Sequence, residues 1–315
     1  MLPTRIGVIG AGRVGAVLAA VLREAGHEIV ALSARSPGSR TRAETLLPGV
    51  PIESPRDVVR AADLVLLTVP DDFLPTLVEE LAETGVFGPE HTVVHTSGRH
   101  GIAVLQPTAR AGAAVAALHP AMTFTGTDLD LDRVPGCVFG LTSDERAFPL
   151  GKQLVDDVGG TLTVIPEERR ILYHAALVHS ANHLVTLVSQ ATGLLRQAGS
   201  TDPASTLRPL LTAALDNALD YGDAALTGPV VRGDQSTIAA HLDGLVDVPG
   251  PTLDAYLAMA RATVEHAVAD GRLPRERARS LMELFDAAVW EATAAEMVDT
   301  ASAADSGAPG GRLTG

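Results

Sequence analysis

The segment Arg5-Ile6-Gly7-Val8-Ile9 runs directly into Gly10-Ala11-Gly12-Arg13-Val14-Gly15 and then into AVLAAVLREAG, which ends at Gly26. A short apolar strand, a G-x-G-x-x-G turn and an apolar helical run thus follow one another without a gap. That order constrains the fold more than any other feature of the chain. The first glycine permits a tight turn, the second lets backbone approach a pyrophosphate, and the third lets the helix pack closely on the strand. The helix N-terminus adds unpaired N–H groups and the positive end of its dipole. Gly10, Ala11, Gly12, Arg13, Val14 and Gly15 are therefore expected to cradle a dinucleotide, a ligand-free glycine turn being the alternative.

The next strand is EIVALS, residues 28–33. An acid at the end of this strand would grip a ribose 2′-OH. Here Ser33 ends it, Ala34-Arg35-Ser36 follows, and Arg40 and Arg42 are close by. Hydroxyl and guanidinium groups suit a phosphate, so Ser33, Arg35 and Ser36 point to NADP(H) rather than NAD(H). A solvated basic loop would have the same composition.

The alternation continues with apolar strands at 62–70, 92–98, 113–120, 136–142 and 161–165, and a helix around 145–158. Such repetition argues an α/β fold with a doubly wound, mostly parallel sheet over residues 1–165. Ligands of these sheets sit beyond the C-terminal ends of the strands. Those ends are Thr68-Val69-Pro70, His95-Thr96-Ser97-Gly98 and Leu118-His119-Pro120. Topology alone places Ser97 and His119 toward the nicotinamide, and Val69 and Pro70 at the end of their strand are expected to bind the cofactor. Ser97 as a cap and His119 as a loop histidine are the plainer alternatives.

After Pro166 the alternation stops. Helical runs are readable at about 167–198, 204–224, 235–246, 251–271 and 275–298, punctuated by Gly and Pro. An all-α domain over 166–298 is expected, followed by a small, polar, Gly-rich tail over 299–315 with no fold of its own. Substrates commonly bind between such domains.

Composition removes several classes of function. Of 315 residues, 24 are basic and 38 acidic, a net charge of −14 with both halves acidic and no basic stripe, which argues against nucleic acid. Cys137 is the only cysteine, so no intrachain disulfide and no cysteine metal site can form. The start carries no signal-peptide pattern, and no apolar run is expected to reach the roughly 18–20 residues of a membrane span. A soluble, cytoplasmic protein is expected. Lys152 is the only lysine, so any catalytic ammonium must be that one.

The first long helix of the second half contains YHAALVHSAN, 173–182. On a helix, His174, Asn182 and His179 fall within one arc of about 140°. Each could be a hydrogen-bonded structural residue. Two histidines and an asparagine together, just past a nucleotide domain, instead favour His174 and Asn182 as site residues. His179 stays open, His183 reads as structural, and no third ligand has the spacing of a metal site. In ALTGPVVRGDQST, 225–237, Asp234 reads as a helix N-cap. Arg232 could hold a substrate carboxylate bidentately or pair with one of the many acids.

Together GVIGAGRVG, LLTVPDD, HTSG, LHP, YHAALVHSAN and ALTGPVVRGD resemble the bacterial proteins that join a Rossmann-like domain to the helical domain DUF2520. The likeness covers nearly all of the chain but the tail, and ALTGP-x-x-RGD is its most specific part. The wider superfamily includes 6-phosphogluconate dehydrogenase, pyrroline-5-carboxylate reductase and ketopantoate reductase. The resemblance implies NADPH-dependent reduction of a 2-oxo acid, as in the alternative ketopantoate reductases of pantothenate synthesis. In one respect the chain departs from the pattern. Ordinary ketopantoate reductases and hydroxyacid dehydrogenases carry a catalytic lysine on the first long helix of the second domain. Here His174 stands at that position, Val178 replaces an asparagine one turn on, and Asn182 follows two turns on.

The resulting expectation is hydride transfer from NADPH to a carbonyl carbon in a homodimeric enzyme. His174 donates the proton, with Tyr173 and Tyr221 as substitute donors; Asn182 orients the carbonyl, and Arg232 holds the carboxylate. Imine reduction on the same fold, an NADP(H)-sensing module without catalysis and a scaffold that binds no dinucleotide are the alternatives.

Overall fold

The computed structural model describes residues 3–305. Its sheet has seven strands in the order β2-β1-β3-β4-β5-β6-β7, with β1 at Arg5–Ile9, β2 at Glu28–Ser33, β3 at Leu64–Leu67, β4 at Thr92–His95, β5 at Ala114–Pro120, β6 at Val138–Ser143 and β7 at Thr161–Val164. All neighbours are parallel except β5 and β6. Parallel neighbours need a crossover long enough to return the chain to the same end. Residues 121–137 supply only a short 3₁₀ turn at Asp128–Arg133, so β6 comes back antiparallel.

Helices cover both faces of the sheet. They are α1 at Arg13–Glu24, α2 at Pro37–Leu46, α3 at Pro55–Ala61, α4 at Leu74–Glu83, α5 at Gln106–Arg110 and α6 at Phe148–Asp157. Period-two alternation along β3 shows how both faces are filled. Leu64 and Leu66 join a core with Val17, Leu18, Phe139 and Leu154, whereas Val65 and Leu67 join one with Val58, Leu74, Val78 and Val93.

Two compact units divide the chain, one at Met1–Leu184 and one from Val185 onward. The first thus extends past Pro166 and includes the start of α7, Arg170–Gln197. In the second unit, α8 (Pro203–Tyr221), α9 (Pro229–Arg232), α10 (Gln235–Leu245), α11 (Thr252–Ala269) and α12 (Arg275–Asp305) succeed one another. Val231, Ile238, Leu242, Leu257, Val264, Leu281 and Phe285 form its core. Helix α12 continues to Asp305, so the unstructured tail expected from Asp299 does not begin there; residues 306–315 lie outside the described residues.

Against the expectation that no apolar run is long enough to span a bilayer, one helix meets that test, because a few polar residues interrupt its apolar sequence without lowering its mean hydropathy below that of a span. Glu167–Gln197 has the length to cross a bilayer, and its most apolar 18-residue window, at a mean hydropathy of 1.2, has the composition; no residue of that window is buried. Its polar members, His174, His179, Asn182 and His183, are spread along the same helix. One such helix is weak evidence for a membrane.

Candidate active site

The turn after β1 has the geometry expected of a phosphate cradle. Gly10 has φ +107°, and a Cβ there would lie 2.9 Å from the Thr68 carbonyl oxygen. A Cβ on Gly15 would strike the Gly10 carbonyl oxygen and the Thr68 hydroxyl, so only glycine lets α1 come this close to the sheet. Gly12 is different: a Cβ there would meet nothing nearer than 3.9 Å. It is the N-cap of α1, without a side-chain cap and without an acid in the first turn, so the helix end is open to an anion.

A cleft of about 730 Å³ opens beside this turn. Gly10, Ala11, Gly12, Ser33, Arg35, Ser36, Val69 and Pro70 line it, all of them expected from the sequence. Of the other three glycine-turn residues, Gly15 and Val14 pack the helix against the sheet and Arg13 is exposed at the helix start. Thr68, at a strand end marked by the sequence, also lines the cleft, as do Phe73 and Ser39, which were not expected. Phe73 lies under the Arg35 guanidinium, 5.4 Å from ring centroid to Cζ. Ser36 and Ser39 close a reciprocal capping box at the start of α2, which fixes a second helix N-terminus at the rim. Arg42 turns back to its own helix and donates to Gly38 O at 3.1 Å. A shape-open glycine, free helix N–H groups and a guanidinium beside hydroxyls fit a dinucleotide that carries an extra phosphate.

The ends of β4 and β5 bring a second group of residues together. His119 Nδ1 and the Tyr173 hydroxyl are 3.0 Å apart, and their rings meet edge to face with centroids at 5.6 Å. The His174 ring is 5.9 Å from that of His119. A Cβ on Gly98 would lie 2.5 Å from His174 Cδ2 and 3.0 Å from His119 Nε2, so this glycine makes room for both imidazoles. Ser97 is buried and its hydroxyl accepts from His100 N at 3.2 Å, which closes a turn in the loop after β4; the next helical element starts only at Ile102 and has Gly101 as its N-cap, so Ser97 caps no helix.

Arg170, which no local sequence signal marks, organises the cluster. It is 1% exposed, yet its partners are three carbonyl oxygens and, at 3.5 Å, the Thr142 hydroxyl rather than a carboxylate. Nε donates to His100 O (3.0 Å), and the two terminal nitrogens donate to Gly140 O (3.0 Å) and to Ser97 O. Its Cζ is 5.7 Å from the Tyr173 ring centroid. Glu167, one turn earlier, accepts from Ile102 N (2.7 Å) and Ala103 N (3.0 Å) and ties the start of α7 to the loop after β4.

Burial, reinforced by the Arg170 charge and by His174, lowers His119 to about 4. Burial raises the Tyr173 phenol, and the Arg170 charge opposes that rise. At neutral pH the cluster therefore holds a neutral imidazole hydrogen-bonded to a protonated phenol, a pair able to pass a proton.

The remaining expected residues fall elsewhere. His179 is paired with His183, Nδ1 to Nδ1 at 2.9 Å, rather than grouped with His174. Asn182 is exposed, two turns along α7 from His174. Arg232 belongs to the second unit, at the exposed end of α9. Asp234 caps α10 through Thr237 N at 3.3 Å, as expected. Leu226, Thr227, Pro229 and Val230 of the ALTGP segment help to line an apolar cavity of about 390 Å³ within the second unit; Arg232 is not part of its wall. Among the described residues no group of three or more metal-ligating side chains occurs.

Residues 2–120 match the family model of the Rossmann-like domain, and residues 137–263 match that of the domain of unknown function DUF2520. No curated protein matches the sequence. Among solved structures the chain is similar to a putative NADP oxidoreductase, BF3122 from Bacteroides fragilis, at 21% identity and TM-score 0.69, over 83% of this chain and 98% of that one. It is similar to protein TM1727 from Thermotoga maritima at 23% identity and TM-score 0.62, over 84% and 99%. Plasmodium falciparum pyrroline carboxylate reductase, solved with NADP bound, follows at 13% identity and TM-score 0.55, over 92% and 97%.

Proposed function

For a chain that carries a Rossmann-like domain and a DUF2520 domain, we propose the activity of an NADPH-dependent oxidoreductase acting on a small 2-oxo acid, 2-dehydropantoate being the first candidate. The observation that carries this reading is the presence, in one unit, of both the dinucleotide cleft and the His119–Tyr173–His174 cluster at the strand ends. The backbone of Gly10 to Gly12 and the start of α1 would hold the pyrophosphate, and Ser33, Arg35 and Ser36 the 2′-phosphate. Val69 and Pro70 would line the path toward the nicotinamide, with Ser97 and His119 at its far end. Bound NADPH supplies a hydride to the carbonyl carbon. The chain's part is to orient the substrate and give a proton to the forming alkoxide, within the reach of Tyr173 and His174. Asn182 is assigned to the substrate hydroxyl or carbonyl.

Reduction of an imine by the same parts is the second reading, favoured by the likeness to a pyrroline carboxylate reductase. One experiment separates the two. NADPH consumption is followed with a panel of 2-oxo acids, 2-dehydropantoate first, and with cyclic imines, using NADH as control. Turnover of the acids supports the first reading; turnover of imines alone replaces it with the second; no binding of either dinucleotide ends both.

The enzyme is further proposed to act in the cytoplasm as a homodimer. Ile171 (75% exposed), Val185 (70%) and Leu219 (77%) on α7 and α8 are apolar and uncovered, and a second copy is the partner that would bury them.

A further inference from the structure

We propose that Tyr173, rather than the adjacent His174, is the proton donor of this site, with His119 as its relay and Arg170 as the residue that positions it. The inference rests on the reductase reading above. A donor must present a fixed O–H or N–H and must recover its proton after each turnover. Tyr173 has both provisions. Its ring lies over Gly140, where a Cβ would come within 2.7 Å of the hydroxyl oxygen, so the absence of a side chain there decides where the phenol sits. Gly140 is paired with His119 across β5 and β6, and this register sets the hydroxyl against His119 Nδ1. Arg170 joins the loop after β4 to β6 through three carbonyl oxygens, those of Ser97 and His100 in the loop and of Gly140 in the strand, and its charge faces the phenol ring. His174 meets the cluster differently, edge-on to His119 and with its Cδ2 carbon against Gly98.

The proton accounting closes. With a proton on His119 Nδ1, that N–H donates to the Tyr173 oxygen and leaves the phenolic hydrogen free for the substrate. As hydride arrives at the carbonyl carbon, the C=O π pair moves to oxygen, which takes the Tyr173 proton. The phenolate recovers a proton from His119 Nδ1 while Nε2 takes one from water. One hydride from the reduced nicotinamide and one solvent proton have been added; tyrosine is again a phenol, and the neutral histidine, now carrying its proton on Nε2, regains the Nδ1–H tautomer by proton exchange with water before the next turnover. The nearby Arg170 charge stabilises the phenolate while it exists. The charged or titratable groups acting on His119 are Arg170 and His174 on α7 and Asp71 after β3.

The test compares Tyr173→Phe with His174→Gln in the full chain. Tyr173→Phe is expected to lower kcat by about 10²- to 10⁴-fold with NADPH affinity unchanged, and His174→Gln by less than about 10-fold. A readout without cofactor accompanies it. In ¹⁵N-detected NMR of the cofactor-free protein, His119 should stay neutral down to about pH 4, and its Nδ1 signal should move in Tyr173→Phe. Arg170→Lys keeps the charge but cannot hold three carbonyl groups; it should perturb the same Nδ1 signal and lower kcat more than it raises KM. Full turnover in Tyr173→Phe with collapse in His174→Gln overturns the proposal. So does an Nδ1 signal indifferent to Tyr173→Phe. A wild-type protein that reduces neither carbonyl nor imine ends the reductase reading and the donor role with it, while the NMR result independently decides whether the His119–Tyr173 pair exists.

Discussion

His95 and Arg35 illustrate how single side chains set the behaviour of the nucleotide unit. His95 is fully buried; its Nε2–H donates to Gly101 O (2.8 Å) and its Nδ1 accepts from Ser97 N (3.1 Å). Both ring nitrogens are satisfied only in the neutral form, and burial lowers His95 to about 4. The unfolded chain binds this proton near pH 6.5, so stability is complete above that value and is lost as pH falls from 6.5 toward 4. The loss is about 3 kcal/mol for His95, and His119 adds a loss of the same sign over the same window. Urea midpoints measured from pH 7.5 to 4.5 should fall across this range, and His95→Gln should flatten the slope. Arg35, stacked over Phe73 in the cleft, is the cation proposed above to meet a 2′-phosphate. Arg35→Ser is expected to weaken NADPH binding by about 10- to 100-fold and to leave NADH almost unchanged, as read by fluorescence titration. Equal losses for both dinucleotides would remove Arg35 from the 2′-phosphate.

At the level of elements, the approach of α1 to β1 and β3 decides whether a phosphate can enter. The Thr68 hydroxyl donates to Gly10 O at 2.6 Å, and Gly15 lies against both atoms. Gly15→Val should therefore push α1 away from the strands, break that bond and destabilise the unit by about 1–3 kcal/mol. Dinucleotide titration should show no binding at concentrations that saturate the wild type; unaltered affinity would contradict the assignment of the cradle. The elements themselves are legible in the sequence wherever a period is sustained. β1, β2, β5 and the long helices α7, α8, α10 and α11 lie within a few residues of the expected ranges. The short helices α3, α5 and α9, of seven, five and four residues, are not, because so few turns carry no readable period.

For the whole molecule the uncovered apolar faces of α7 and α8 matter most. Arg170 is the only buried residue of α7, and Pro203 and Leu207 are the only ones of α8. A permanent homodimer commonly buries about 2,000–5,000 Å² in total, an area that two long apolar helices per copy can supply. Light scattering after size exclusion should give twice the chain mass of 32.6 kDa. A Leu215→Glu, Leu219→Glu double variant should shift it toward the monomer and lower the unfolding temperature. A wild-type monomer at micromolar concentration would disprove the dimer.

The line between what was readable and what was not follows the range of the forces. Gly10, Gly12 and Gly15 are recognisable in one dimension because strand, turn and helix are neighbours in sequence, and local backbone sterics require glycine there. The missing acid after β2 is equally local. The His119–Tyr173–Arg170 cluster is not: His119 and Tyr173 are 54 residues apart, and Arg170 meets Ser97 from 73 residues away. Nothing next to Arg170 in the chain marks it as buried; it looks like a surface charge at the start of a helix. Only the convergence of the ends of β4, β5 and β6 on the first turns of α7 removes it from water and leaves carbonyl oxygens as its partners. Sequence alone thus determined the elements and the phosphate cradle, whose causes lie within a few residues. Tertiary packing decided which histidine is neutral, which tyrosine it meets and which arginine holds them, because desolvation and long-range hydrogen bonds have no signature along the chain.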